Sequence, residues 1–338
     1  MELVSEIIAG LEKPSAYSHP SGNIQRIITG VSVVFLTGSF AYKFNKPLNL
    51  GFLDFSTLEK RKEQCEKEVR YNSLISPELY LGVAAINKDQ QGNITVDGAG
   101  EVIEYAVKMK QLDPNSTMFD LLKENSVTAK HISALAAKIF SFHQKALTNE
   151  EISSFGSVKS IQFNWDENFQ QTEKYKPAMI GLEDFEFIQQ KINNFIQDHP
   201  RLFEKRVTLG KIKRCHGDFH SANVFITSAG PFIFDGIVFN QRFPCSDVIA
   251  EIAFMAMDLE RQQKDYLAEK FIQEYHQLSK DQDIAKLLPF YKCYRAYIRG
   301  KINCFTSEDD NLIKDEKNKA IKEAKEYFYL AKRYAQLL

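Results

Sequence analysis

The stretch RCHGDFHSANVFI, residues 214–226, constrains this 338-residue chain more than any other. It gathers His216, Asp218, His220 and Asn223 directly before an apolar run; a second run, PFIF, follows a TSAG turn and leads into Asp235. Two short β-branched and aromatic runs around a glycine-containing turn read as a hairpin. A polar loop therefore stands at one end of a small hairpin and a carboxylate at the other. Turn formation and helix capping, the ordinary uses of Asp and Asn, would account for Asp218 and Asn223. They do not account for Asp235 or for the pattern of the N-terminal half.

That half is rich in strand signals. Residues 3–11 pattern as a short amphipathic helix closed by Pro14, and IQRIITGVSVVFLTGSFAYKF (24–44) follows. Gly30 breaks the first run, and Thr37-Gly38-Ser39 reads as a hairpin turn. Alternation in FAYKF sets Phe40, Tyr42 and Phe44 on one face and Ala41 and Lys43 on the other. A charged helix comes next, with Ser56 as N-cap and Pro77 as its stop, and EVIEYAVKM (101–109) is a further strand. Beyond Leu112 the chain turns helical. TAKHISALAAKIFSFHQKAL spaces Ile132, Leu135, Ile139 and Phe142 by three and four, and LEDFEFIQQKINNFIQDHP is a second amphipathic stretch. The order is a small strand-rich half with one helix, then a larger helical half carrying the polar loop and a short hairpin.

Composition excludes several functions. A hydrophobic fraction of 44% and a charged fraction of 26% are those of an ordinary globular protein. Lys+Arg 43 against Asp+Glu 44 leaves no basic field, so nucleic acid is not an expected partner. The five cysteines form no CxxC pair, which argues against a disulfide framework or a zinc site and suits a reducing compartment. There is no basic n-region with an apolar h-region at the N-terminus, and no run nears the roughly 18 apolar residues of a spanning helix. A cytoplasmic protein without a membrane partner is expected; oligomeric state is left open.

The segments VFLTGSFAYKFNKPLNLGFLDFSTLEKR, SPELYLGV, EYAVKM, CHGDFHSANVFI and FDGIVFN resemble those of the protein-kinase-like fold. The resemblance is to the branch of aminoglycoside phosphotransferases and choline kinases, closest to an uncharacterised bacterial aminoglycoside-phosphotransferase-like group. It covers nearly the whole chain and implies an α+β, bilobal fold, with residues 1–110 as a small antiparallel-sheet lobe with one helix and 111–338 as a mainly helical lobe carrying the polar loop. Some members of that group carry a further P-loop kinase domain, but no GxxxxGK[ST] occurs in these residues, so a second activity of that kind is not expected.

The resemblance implies ATP-dependent phosphoryl transfer, with Mg²⁺, to a hydroxyl of a small molecule. Asp218 and Asn223 keep the five-residue separation of the kinase catalytic loop H-R-D-x-x-x-x-N. Asp218 is then the base that positions the acceptor hydroxyl, and Asn223 an amide-oxygen ligand for the metal. Asp235, followed directly by Gly236, matches the metal-binding Asp of D-F-G. His216 braces the loop, and His220 contacts the metal-site Asp or the acceptor. Lys43 matches the strand lysine that neutralises the phosphates, with Glu68 as its carboxylate partner and Glu66 as runner-up. The turn around Gly30 covers the phosphates although it lacks GxGxxG, and Met109, Lys110 and Gln111 form the hinge that reads the adenine edge.

Acceptor recognition is less legible. YKCYRAYIRGK (291–301) spaces Arg295 and Arg299 one helical turn apart, which would suit an anionic group on the acceptor; a salt-bridged surface helix is the competing reading. A polyol acceptor is also compatible. Trp165 either covers the acceptor or packs. Two positions depart from the related group, which has Glu where this chain has Val238 and Asp where it has Glu251. The alternative function is a non-catalytic nucleotide-binding regulator of the same fold. A protein Ser/Thr kinase is disfavoured because no A-P-E-type segment follows FDG.

Overall fold

The computed structural model describes residues 2–51, 53–310 and 312–338, and the chain divides into two compact units. The first runs through Thr117 and also takes in Asn223–Gln241; the second comprises Met118–Ala222 and Arg242–Leu338.

Alternation builds the first unit. Strands β1 (Gln25–Ile28), β2 (Ser32–Leu36), β3 (Phe40–Asn45), β4 (Tyr80–Lys88), β5 (Ile94–Val96) and β6 (Glu101–Lys110) form an antiparallel sheet in the order β1-β2-β3-β6-β4-β5. Val33, Phe35, Tyr42, Phe44, Ala84, Ile86 and Ala106 leave one face and pack with Ile7 and Leu11 of helix α1 (Glu2–Leu11). Leu36, Ala41, Val107 and Met109 leave the other and pack with Cys65 of α2 (Leu58–Asn72). Phe35 and Phe44 are fully buried, each worth about 1.5–3 kcal/mol relative to exposure. The turn between β2 and β3 falls at Thr37-Gly38-Ser39, where Gly38 has φ 97°, a conformation glycine adopts without steric cost.

The cap of α2 differs from expectation. Thr57 is the N-cap, its hydroxyl accepting the Lys60 N–H at 3.3 Å, while Ser56 donates to Asp54. The helix ends at Asn72, short of Pro77, because the backbone turns through Ser73–Ser76 onto the Asn72 carbonyl. A buried ion pair, Arg61 Nε to Glu104 Oε2 at 2.7 Å, ties α2 to β6. The unit is completed by the hairpin of β8 (Val224–Thr227) and β9 (Gly230–Ile233).

The second unit is helical apart from the short pair β7 (Ile212–Arg214) and β10 (Cys245–Asp247). Its helices are α3 (Met118–Lys123), α4 (Ala129–Lys145), α5 (Glu150–Ser154), α6 (Val158–Thr172), α7 (Leu182–Asp198), α8 (Pro200–Thr208), α9 (Val248–Arg261), α10 (Asp265–Ser279), α11 (Ile284–Ser307) and α12 (Lys314–Ala335). Ile132, Leu135, Ile139 and Phe142 form the buried stripe of α4. Every residue of α9 from Val248 to Leu259 is buried, and α9 packs against α10 and α11. The Trp165 ring is fully buried and packs among Phe169, Phe290, Tyr294 and Tyr297. The five cysteines are buried thiols. Among the described residues no helix is long and apolar enough to cross a membrane.

Candidate active site

In the first unit Lys43 stands on the β3 face turned toward α2, the result of its alternation with Tyr42 and Phe44. Its Nζ donates to Glu68 Oε1 at 3.0 Å and to Asp235 Oδ1 at 2.5 Å. Glu68 is 3% exposed, whereas Glu66 lies on the exposed face of α2 beside Lys62. Burial by itself disfavours the ammonium, but the facing carboxylates of Asp235 and Glu68 outweigh it and hold Lys43 well above its ordinary pKa.

Asp235 sits in left-handed backbone, φ 62°, which costs a non-glycine residue on the order of 1 kcal/mol. Contacts from the end of α2, the turn after it and the start of β4 offset this cost. The Asp235 N–H donates to the Tyr80 hydroxyl at 3.0 Å, the Gly236 N–H to Asn72 Oδ1 at 2.9 Å, and the Ile233 N–H to Ser76 Oγ at 3.1 Å. The Asp235 side chain is left 50% exposed, a carboxylate held in place yet open. Sequence reasoning did not find Asn72, Ser76 or Tyr80, since nothing in their spacing ties them to residues some 155 positions later.

Asn223 is buried at the root of the hairpin, its carbonyl accepting the Phe234 N–H at 3.1 Å. Gly30 lies in the β1–β2 turn, closed by the Thr29 N–H donating to the Ser32 carbonyl at 3.0 Å. Nothing lies within 4 Å of where a Cβ on Gly30 would sit, so neither sterics nor a left-handed backbone compels glycine there. Two amides of the expected hinge, those of Lys110 and Gln111, are engaged within the first unit. The Lys110 N–H is spent on the Leu79 carbonyl at 2.9 Å and the Gln111 N–H on the Ser39 carbonyl at 3.0 Å. Gln111 Oε1 also accepts the Gly38 N–H at 2.8 Å. Met109 is buried.

In the second unit one face of α9 shapes the loop that carries Asp218. Glu251, 1% exposed, accepts the His216 N–H at 3.1 Å and the Gly217 N–H at 2.8 Å. Two turns later Asp258 accepts the Ser221 N–H at 2.9 Å, and between them Phe254 packs under the His220 ring, 5.3 Å between centroids. The loop is thus clamped at both ends with His220 seated in the middle. Glu251 in turn accepts from His143 Nε2 at 2.9 Å, and His143 Nδ1 meets the Tyr275 hydroxyl at 2.7 Å. Burial alone would raise the Glu251 carboxyl, but the hydrogen bond and charge of His143 hold it below the usual range. His143, Cys215 and Glu251 bring donor atoms within 4.8 Å of one another. Both imidazole nitrogens already have partners, so the group is a brace under the loop.

Asp218 Oδ2 lies 3.3 Å from His220 Nε2. Burial works to raise the Asp218 carboxyl, yet His220, then Arg299 and His216, hold it well below the carboxylate range. For His220 burial opposes the charged form, and the attraction of Asp218 prevails and raises its pKa. The two arginines of α11 part company. Arg295 is 6% exposed, and its donors go to backbone carbonyls, Nε to Ala250 and Nη1 to Gly217, each at 3.0 Å. Two nitrogens of its fork thus tie α9 and the loop that carries Asp218 to α11. Arg299 lies over the Tyr327 ring at 5.6 Å, and its charge acts on Asp218.

This fold, a curled antiparallel sheet with a largely helical second unit, is shared with solved structures of small-molecule kinases. It is similar to a choline kinase from Cryptosporidium parvum, with a TM-score of 0.58, 13% identity and coverage of 99% of this chain and 96% of that one. It is also similar to a choline/ethanolamine kinase family protein from Mesorhizobium loti, with a TM-score of 0.57, 9% identity and coverage of 99% and 100%. A glucosamine kinase solved with glucosamine, ADP and inorganic phosphate gives a TM-score of 0.51 at 13% identity, over 99% of this chain and 82% of that one. In sequence the chain is 28% identical over 276 residues to uncharacterised proteins of Mycobacterium tuberculosis and Mycobacterium bovis, covering 82% of this chain and 54% of theirs. The chain thus spans about half the length of the curated relatives it matches. No family model matches it.

Proposed function

We propose that the chain is an ATP-dependent phosphotransferase that moves a phosphoryl group to a hydroxyl of a small molecule, with Mg²⁺. The observation that carries this reading is Lys43, charged and 15% exposed, joined at once to Glu68 and Asp235. A lysine so held is a fixed cation for phosphate oxygens, and the half-exposed Asp235 carboxylate is a hard oxygen donor. Asp235 and the Asn223 amide would hold Mg²⁺, whose chemistry when bound is charge neutralisation on the phosphates. The choline, ethanolamine and glucosamine kinases of this fold support a small hydroxyl compound as acceptor.

Asp218 accepts the acceptor's hydroxyl hydrogen and aims its oxygen. The low pKa kept by His220 and Arg299 makes Asp218 an orienting group more than a strong base. That suffices, because phosphoryl transfer passes through a loose transition state that depends on positioning and electrostatics. Arg295 and Glu251 act through the loop backbone and are positioning residues.

The test is a metabolite-pool screen for ATP-dependent phosphorylation, run with the native chain and with Asp218→Asn. A product formed by the first and not the second is expected. Absence of a thermal shift with any nucleoside triphosphate would overturn the kinase reading, and a shift without turnover of any pool would make the chain a nucleotide-binding regulator.

A further inference from the structure

Besides Arg295 and Arg299, α11 carries Lys301, a cation whose hydrogen-bond partners are both neutral. At about 100° per residue it projects about 200° around the helix from Arg299, toward α6. Its Nζ donates to Asn168 Oδ1 at 2.6 Å and to Gln171 Oε1 at 2.8 Å, both neutral acceptors. Among the described residues it makes no ion pair, and the nearby charges, Glu167 and Arg242, are paired with each other at 2.7 Å. Burial pulls the Lys301 ammonium down to about 8, with the attraction of Glu167 offset by Arg242.

Two buried donors of α6 lack acceptors. Asn168, 2% exposed, offers Nδ2 from the same amide whose oxygen meets Lys301, and Trp165 Nε1, one turn earlier on α6, is fully buried. Buried polar atoms are ordinarily hydrogen-bonded: the two N–H groups call for an acceptor, and the Lys301 ammonium, held by neutral oxygens alone, favours one that carries negative charge. A cationic ligand would meet an ammonium and two N–H dipoles of the wrong sign. We propose that Lys301, Asn168 and Trp165 form a binding subsite for an anionic oxygen group, a carboxylate or a phosphate, where α6 and α11 meet.

The test uses the full chain and competitive acetylation with acetic anhydride in mildly alkaline buffer, with Lys301 and the exposed Lys130 followed by peptide mass spectrometry. Inorganic phosphate and succinate are compared with sodium chloride at equal ionic strength. Slowing of Lys301 modification by either anion, with Lys130 unchanged, is expected; the anion that protects identifies a phosphate or a carboxylate ligand. Equal rates in all three salts would overturn the proposal. In a second arm the protecting anion raises the melting temperature of the native chain, and Lys301→Met loses that shift while keeping its shift with Mg-ATP. Retention of the anion shift by Lys301→Met would equally overturn it; should that variant not fold, the labelling of the native chain decides. Failure of the Mg-ATP shift in the native chain would sink the phosphotransferase reading and leave the anion result standing.

Discussion

Glu251 holds Gly217: its Oε1 accepts the glycine amide at 2.8 Å, one residue before Asp218. The carboxylate stays ionised under burial because His143 and two loop amides face it. In Glu251→Gln one loop amide would meet an NH₂ group instead of an oxygen. A loss of about 1–3 kcal/mol is expected, read from urea unfolding, together with reduced turnover. The folded pKa of Glu251 is depressed, so its contribution is present above the ordinary glutamate value and lost as pH falls through the folded one. The stability gap between native and variant should therefore narrow in acid; a gap that widened in acid would contradict the assignment.

Asp218 and His220 should report on each other. Asp218→Asn is expected to reduce turnover roughly 10²–10⁴-fold while the thermal shift with Mg-ATP persists. The same variant should lower the His220 pKa, since Asp218 is what raises it. Ring-proton NMR titration measures this directly. The raised His220 contributes stability in acid that is lost as pH rises through its folded pKa. An unchanged His220 titration would refute the pairing.

The arginines of α11 make opposite predictions. Arg295→Met should lower the melting temperature by stripping donors from the Ala250 and Gly217 carbonyls. Arg299→Met should affect stability less and let the Asp218 pKa rise, which moves the acidic limb of a pH–rate profile upward. Comparable behaviour of the two variants would mean that the division of labour is wrong.

Lys43 and Asp235 can be separated by asking which change harms the fold. Lys43→Met leaves Glu68 buried without its cation, a change of about 3–5 kcal/mol for broken buried pairs. Asp235→Asn removes only a half-exposed carboxylate, so it should fold normally and lose Mg²⁺-dependent turnover. For the native chain, Mg-ATP at a hundredfold excess over Kd should add about 2.7 kcal/mol. Calorimetry of the three proteins is the check; an Asp235→Asn variant with native turnover would remove Asp235 from metal binding.

Much of this was readable in advance because period and motif are local. The two-residue alternation around Tyr42 set Lys43 apart from the aromatic core, the three-and-four spacing gave α4, and the loop–hairpin–Asp235 order survives intact. What escaped was carried by partners far apart in the chain. Nothing near Arg295 tells that its acceptors are the carbonyls of Ala250 and Gly217, because a helical pair of arginines looks alike whether it meets a ligand or a backbone. Asn72, Ser76 and Tyr80 read as an ordinary helix end and strand start. The amides at 110 and 111 look available until the sheet order brings Leu79 and Ser39 beside them.

Helix α9 is enclosed over its whole circumference, and a helix buried all round has no side from which it can fray into solvent. Its amides are therefore expected to exchange with deuterium only when the helical unit opens as a whole. The loop before the hairpin hangs from that helix at Glu251 and Asp258, so the geometry around Asp218 inherits the lifetime of the core. Loops ordinarily belong to the least durable layer of a protein; this one keeps time with its slowest.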